Sequence, residues 1–363
     1  MQRTLITGAG GYVGARTAEK LLDTNDSGVV LWLHAANSDE ARGKIDALQP
    51  RFAKYGERVI YRFGELTGDA PFSSVDPLEI RSIIHSAAVT RFNVDEATAN
   101  AVNVDGSVKL FRFAERCRNL RDLTYVSTVY ASGLAAGPIA EVPLDGAVGF
   151  ANHYERSKWR SEQLLATEFS NLPWRIARVA TVISDDEAGQ ITQQNAVHNT
   201  LKLLYYGLLS LVPGRADTPL YFVTGEFVAD ALATIAARPA AHAIYHLVHR
   251  REESLTLDEL LSIAFEVFEG DQKWRTRRVL KPLYADAESF DILVDGIDSF
   301  GGEVFRQALG SVAPFARQLF VKKAFLNDRL RADLPRYQAP APAALARSVC
   351  EELVRTRFRK AAA

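Results

Sequence analysis

The chain has 363 residues, 47% of them hydrophobic, which is enough for one large α/β domain or a nucleotide domain with a smaller companion. Its 43 Lys and Arg nearly cancel 44 Asp and Glu, an argument against nucleic acid or an anionic membrane as the main partner. Cys117 and Cys350 match no metal-ligand or redox spacing, no apolar run is long enough to span a bilayer, and the first strand leaves no room for a signal peptide, so the expectation is a cytoplasmic protein with reduced thiols.

Arg3-Thr4-Leu5-Ile6 reads as a first buried strand and residues 15–23, with Ala18, Leu21 and Leu22 at helical spacing, as a helix. Between them stands Thr7-Gly8-Ala9-Gly10-Gly11-Tyr12-Val13-Gly14. Glycines at 8, 11 and 14 permit a tight turn, a close approach of backbone to a pyrophosphate and close packing of helix on strand. The helix N-terminus offers free N–H groups to the phosphates. The turn is therefore a candidate dinucleotide site.

Residues 29–33 form a second strand. An NAD-preferring site usually carries an acid at the end of this strand for the ribose hydroxyls. Here His34-Ala35-Ala36-Asn37 stands instead, and Asp39 and Glu40 belong to the next helix, with Ser38 as its expected cap. Without the acid a 2′-phosphate is not repelled, and His34, Arg42 or Lys44 can meet it; the expected cofactor is NADP(H), with NAD(H) as the alternative. Residues 59–63 are a third strand, followed by Gly64, Glu65 and Leu66 near the adenine edge. Ile83-Ile84 belong to a fourth, ending in His85 and then Ser86, Ala87 and Ala88, which are small enough to let a cofactor lie against the backbone. Inside the helical segment 99–117, Asn103 is either a kinking or capping amide or a member of the catalytic set. Strands alternating with helices predict a parallel, doubly wound sheet with ligands at the carboxyl ends of its strands.

A fifth strand, residues 122–126, runs into Ser127-Thr128-Val129-Tyr130, whose first two hydroxyls would face the nicotinamide. Tyr154-Glu155-Arg156-Ser157-Lys158 then opens a helix. Residues i and i+4 share a helix face, so the Lys158 ammonium is expected beside the Tyr154 hydroxyl, lowering its pKa and fitting it for proton transfer to a carbonyl oxygen. A Tyr and a Lys four apart mean little alone; following the glycine turn and the Ser-Thr strand end, they point to one site. Residues 192–211 read as a mostly helical, increasingly apolar stretch, either a substrate-facing lid or a core helix. His242, His246 and His249 have the spacing of a helical metal site, but residues 243–248 read as a strand, where residues four apart are roughly 13 Å from each other, and no metal is expected.

These motifs resemble the extended short-chain dehydrogenase/reductase family over most of the chain. Within it the resemblance is to thioester reductases, the terminal reductase domains of carboxylic acid reductases and peptide synthetases, and to fatty acyl reductases. The acidic helix onset Ser38-Asp39-Glu40 looks like theirs, Val126-Ser127-Thr128 resembles their Val-Ser-Thr, and Glu226-Phe227-Val228-Ala229-Asp230-Ala231 resembles their Asp-Tyr-Val-Ala-Asp-Ala. Residues 178–185 are similar to their Arg-Pro, apolar strand and Gly-Asp, with Val179 in place of the Pro and Ser184 in place of the Gly; His34 replaces their Arg after the second strand.

The resemblance implies an α/β, Rossmann-type doubly wound parallel sheet over residues 1–183 and 218–248. A smaller, mostly helical substrate domain is implied over 184–217 and 249–363. It implies a catalytic set of Thr128, Tyr154, Lys158 and Asn103, with Ser127 and Lys158 also at the cofactor and Ser184 and Asp185 at the substrate. The implied reaction is NADPH-dependent reduction of an acyl thioester, carried on coenzyme A or on an acyl or peptidyl carrier protein in trans, to an aldehyde and then, with a second hydride, an alcohol. Other extended members act on ketones, secondary alcohols, sterols or nucleotide sugars. A non-catalytic dinucleotide-binding protein would have no need of Thr128, Tyr154 and Lys158.

Overall fold

Seven strands, Arg3–Thr7 (β1), Gly28–His34 (β2), Val59–Gly64 (β3), Ile80–His85 (β4), Asp122–Thr128 (β5), Trp174–Val179 (β6) and Ala243–Leu247 (β7), make one sheet in the order β7-β6-β5-β4-β1-β2-β3, with every pair parallel. The computed structural model describes residues 2–238, 242–300, 310, 312–334 and 337–359. Residues 301–309, 311, 335–336 and 360–363 of the expected substrate domain lie outside the described residues.

Strand β2 is buried along six of its seven residues, as a strand covered on both faces must be. Helices Tyr12–Thr24 (α1) and Ser38–Phe52 (α2) cover one face, where Ala18, Leu21 and Leu22 pack on Leu31 and Leu33. Helices Gly106–Arg116 (α3) and His153–Thr167 (α4) cover the other, where Leu110, Phe111 and Leu165 pack on Leu5, Ile83 and Leu123. The winding reverses between β1 and β4, and the crevice for a ligand opens there, at their carboxyl ends.

Two local expectations are corrected, and one strand is added. The cap of α2 is Asn37, not Ser38: its side chain accepts from the N–H groups of Asp39 and Glu40 at 3.1 and 3.0 Å. The segment 99–117 is not one helix. A short helix, Glu96–Ala99, widens into a π-helical turn, Asn100–Asp105, before α3 begins. The apolar strand expected after Arg178 is present as Thr181–Ser184, while β6, which precedes it, escapes the sequence reading because buried charges interrupt its apolar pattern. Arg175 pairs with Asp122 at 2.6 Å and Arg178 with Glu162 at 2.7 Å, all four side chains at most 5% exposed.

A second core is built from Ala196–Tyr205 (α5), Leu257–Glu269 (α7) and Pro342–Arg355 (α8), with Leu201, Leu204, Leu261, Phe268, Val349 and Leu353 at its centre. Between α5 and α7 in sequence, Gly225–Ala236 (α6) returns to the main sheet beside α1. The stretch 192–211 is helical only through α5, and Leu211 opens the short strand Leu211–Pro213. Short strand pairs stitch the cores together: Thr181–Ser184 with Phe222–Thr224, and Gly137–Ile139 with Lys323–Phe325. Among the described residues, no helix is long and apolar enough to cross a membrane.

Candidate active site

The glycine turn is as tight as its sequence requires. Gly8 has φ +70°, and a Cβ there would lie 2.7 Å from the backbone nitrogen of Ala87; a Cβ on Gly14 would lie 2.3 Å from the Gly8 carbonyl oxygen. Gly11 caps α1 with no side-chain acceptor, so the first N–H groups of α1 keep their capacity for an anion. The turn is pinned to β4: Ser86 Oγ donates to the Thr7 carbonyl at 2.7 Å, and His85 Nδ1 lies 2.6 Å from Thr7 Oγ1. Burial pushes His85 down to about 3, leaving it a neutral brace. This cradle, closed to a Cβ at Gly8 and Gly14 and open to N–H donation, fits a dinucleotide pyrophosphate.

At the adenosine end, His34 and Glu65 follow one another across β2 and β3, with Nε2 and Oε1 4.0 Å apart and both side chains largely exposed. Arg42 faces solvent, 3.9 Å from Asp39. Lys44 is engaged elsewhere, donating to the His34 carbonyl and the Glu40 carboxylate at 2.6 Å each. Leu66 is buried against Gly106, so its side chain supports the groove from beneath.

A cavity of about 240 Å³ lies beyond the turn, lined by Tyr12, Val13, Ser86 and Ala88 on the nucleotide side and by Ser127, Thr128, Tyr154 and Lys158 from β5 and α4. Helix α4 starts where Asn152 accepts from the Glu155 N–H at 3.0 Å, which sets Tyr154 and Lys158 on its sheet-facing side. Lys158 Nζ donates to the Val126 carbonyl at 2.8 Å and sits 4.1 Å from the Tyr125 ring centroid. Burial brings Lys158 down to about 7, opposed by the Glu162 carboxylate.

The expected lowering of the Tyr154 pKa is corrected. Burial drives it well above the ordinary phenol value, and the influence that opposes burial is the Thr128 hydroxyl. The ammonium is turned to the end of β5, and the phenol keeps its proton.

Asn103 is corrected too. It is fully buried and does not line the cavity. Its side chain accepts from the Val89 N–H at 2.8 Å, donates to the Val89 carbonyl at 3.0 Å and to Ser157 Oγ at 2.9 Å, while its backbone carbonyl accepts from Ser161 Oγ at 2.8 Å. Asn103 thus clamps the chain after β4 to α4, a positioning role.

Of the two expected substrate residues, Ser184 lines the cavity and Asp185 does not. Asp185 accepts from the Tyr12 hydroxyl at 2.6 Å, pairs with Arg16 at 2.8 Å and accepts from Thr192 Oγ1 at 2.9 Å. Its carboxylate is therefore consumed in tying the loop after Ser184 to α1.

Sequence reasoning missed two groups. Ser127 Oγ donates to Glu162 at 2.5 Å; Glu162 grips Arg178, whose Nη1 lies 3.1 Å from His246 Nε2. Glu162 four residues after Lys158, on the same helix face, was the available signal. The second group is aromatic: Phe92, Tyr130 and Phe315 also line the cavity, and nothing local in the sequence marks Phe315. The three histidines have separate partners: His242 meets the Leu172 carbonyl, His246 the Leu326 carbonyl and His249 the Tyr337 hydroxyl.

A parallel sheet with a glycine turn at its switch point, and Ser-Thr and Tyr-x-x-x-Lys at the ends of β5 and α4, defines the extended short-chain dehydrogenase/reductase fold. The chain belongs to the Male sterility protein family (NAD_binding_4), which it matches over residues 6–232. It is 25% identical over 309 residues to the fatty acyl-CoA reductase wat of Drosophila melanogaster, an alignment covering 72% of this chain and 60% of that protein. The chain thus spans less than two thirds of that relative's length. In structure it superposes on the terminal R domain from the myxalamid PKS-NRPS biosynthetic pathway with a TM-score of 0.75 at 23% identity, covering 100% of this chain and 93% of the other. For the thiolation-reductase di-domain of an archaeal non-ribosomal peptide synthetase the TM-score is 0.74 at 16% identity, covering 98% and 76%.

Proposed function

We propose that this chain is an NADPH-dependent reductase of acyl thioesters, acting in the cytoplasm, with residues 184–217 and 249–363 as its substrate domain. The observation that carries the reading is the single cavity in which the glycine turn, Thr128, Tyr154 and Lys158 meet. The dinucleotide would be held by the turn from Thr7 to Gly14, by Ser86 and by Lys158, and when bound it supplies hydride to the thioester carbonyl carbon. His34 and Arg42, both exposed at the adenosine end, are the contacts for a 2′-phosphate.

The chain's own part is charge and proton control. Tyr154 and Thr128 donate hydrogen bonds to the carbonyl oxygen as negative charge develops on it. Burial keeps the Tyr154 phenol protonated, so it enters the reaction as the acid and gives its proton to that oxygen. Lys158 is anchored on the Val126 carbonyl beneath the site, within reach of the dinucleotide. The hemithioacetal so formed releases the thiol and leaves an aldehyde; a second reduction of the aldehyde gives an alcohol. The relatives named for fatty acyl-CoA reduction and for a thiolation-reductase di-domain support coenzyme A or a carrier protein as the thiol.

The test is NADPH oxidation with a panel of acyl thioesters while free thiol is followed in the same sample. Thiol released in step with NADPH loss is the expected result. Turnover of ketones, aldehydes or secondary alcohols with no thiol released from any thioester would refute the reading.

A further inference from the structure

Two polar side chains reach the active site from the C-terminal part of the chain, Gln318 and Lys323. A narrower cavity of about 70 Å³ adjoins the catalytic one and shares Tyr130, Val197 and Phe315 with it. Gln318 and Lys323 border that second cavity but turn their nitrogens away from it, toward β5 and α4. The amide nitrogen of Gln318 donates to the Gly133 carbonyl at 3.1 Å and to the Glu155 carboxylate at 2.8 Å. Both partners are acceptors, so the nitrogen and not the oxygen of the amide must face them. Gln318 Oε1 is buried with no protein partner, and the donor side alone sets the place of the amide. Lys323 Nζ donates to Ser132 Oγ at 2.9 Å and to the same Gly133 carbonyl. A further tie, from Asn152 Nδ2 to the Pro314 carbonyl at 3.0 Å, fastens this segment to the cap of α4.

These ties join the two elements that carry the chemistry. Gly133 closes the turn Val129–Ser132 that follows Thr128, and Glu155 is the residue next to Tyr154. The bond from Lys158 to the Val126 carbonyl links α4 to β5 one helical turn further on; Gln318 links them at the Tyr154 end. The anchorage is deep, with Glu155 0%, Gln318 5% and Lys323 6% exposed. Burial pushes Glu155 up and Lys323 down, and the opposite charge of each resists the shift of the other. The segment is held from behind as well, since Thr218 Oγ1 and the Tyr221 hydroxyl donate to the carbonyls of Leu319 and Lys323 at 2.6 Å each. It is a fixed bracket across the mouths of β5 and α4.

We propose that Gln318, with Lys323 beside it, is a positioning residue for the reduction: it fixes the loop after β5 to the first turn of α4 and so sets the spacing at which Thr128 and Tyr154 present their hydroxyls to one oxygen. It acts through Gly133 and Glu155. The inference rests on the reading of Thr128 and Tyr154 as donors to a carbonyl oxygen, and not on that carbonyl belonging to a thioester.

The experiment compares the wild type, Gln318→Leu (or Gln318→Met, should the leucine variant fail to fold), Thr128→Val and the double variant in NADPH-dependent reduction of an acyl-CoA and of the matching free aldehyde. In Q318L, kcat should fall roughly 10- to 100-fold on whichever substrate the wild type reduces, with KM for NADPH within about twofold. Once the Thr128 hydroxyl is gone there is no spacing left to keep, so in the T128V background Q318L should lower kcat at most about threefold further. A folded Q318L or Q318M protein with near-normal kcat, losses that multiply in the double variant, or a KM for NADPH that rises as kcat falls would each overturn the inference. Aldehyde reduction that shows the expected losses, with no thioester reduced, supports the bracket and refutes the thioester reading. A wild type that reduces neither substrate refutes both.

Discussion

The two adjoining cavities are built on different plans. The one around Tyr154 takes its working groups from the ends of β1, β4 and β5 and the first turn of α4, segments whose relative positions are fixed by parallel hydrogen-bond register. The second cavity takes its walls from α5, α7 and segments spread from Val129 to Phe325, including the short strands of Val212, Phe222 and Phe325, and most of its lining is apolar. Groups that must meet a reacting atom sit on the rigid sheet; groups that need only exclude water sit on elements free to vary. The contrast predicts that substitutions in the first cavity destroy chemistry and that those of apolar residues in the second leave it standing.

The largest effect should come from Tyr154→Phe. Losing the acid should cost about 10²–10⁴-fold in kcat, with the dinucleotide dissociation constant, measured by fluorescence titration, little changed. A variant with near-normal kcat would dissolve the distinction between the cavities. Next is Glu162→Ala, which leaves the buried Arg178 guanidinium without its partner. Urea unfolding should show a loss of about 3–5 kcal/mol, and because Glu162 opposes the fall of Lys158, the lysine should titrate still lower. A smaller effect concerns pH and stability. Lys158 is near 7 folded and near 10.5 unfolded, so between those values the unfolded chain binds a proton that the folded one has shed, and stability rises with pH. Lys158→Met should flatten that slope in thermal unfolding across pH 7–10. An equally steep slope in the variant would assign it to another group. The smallest is expected of Arg42→Ala combined with His34→Ala, which should raise KM for NADPH up to about tenfold while KM for NADH stays constant. Equal changes for both cofactors would remove the 2′-phosphate from the account.

How far the site could be read in advance follows the same division. The placement of Gly8, Gly14, Thr128, Tyr154 and Lys158 was legible because each is positioned by its immediate neighbours in sequence: a turn, a strand end, one helical turn. Strand β6 was half hidden because Arg175 and Arg178 interrupt its apolar pattern, and their partners, Asp122 and Glu162, lie 53 and 16 residues away. Asn103 carried the right residue type for a catalytic amide, but only the π-helical turn shows that its side chain is committed to Val89 and Ser157. Phe315 could not be found, since its neighbours Phe92 and Tyr130 are brought to it by the tertiary fold alone. The pKa of Tyr154 was misjudged because helix spacing reports which side chains are neighbours and not how deeply they are buried.

The loop after Ser184 is held down by a single carboxylate that Tyr12, Arg16 and Thr192 share. Its conformational freedom is lost when the chain folds, so a substrate bound as proposed would not spend affinity on organising this wall. Helix α1, which carries the glycine turn at its start, is the other end of that tether. The surface that would receive an acyl group is therefore aligned in advance on the same short helix that would receive the pyrophosphate.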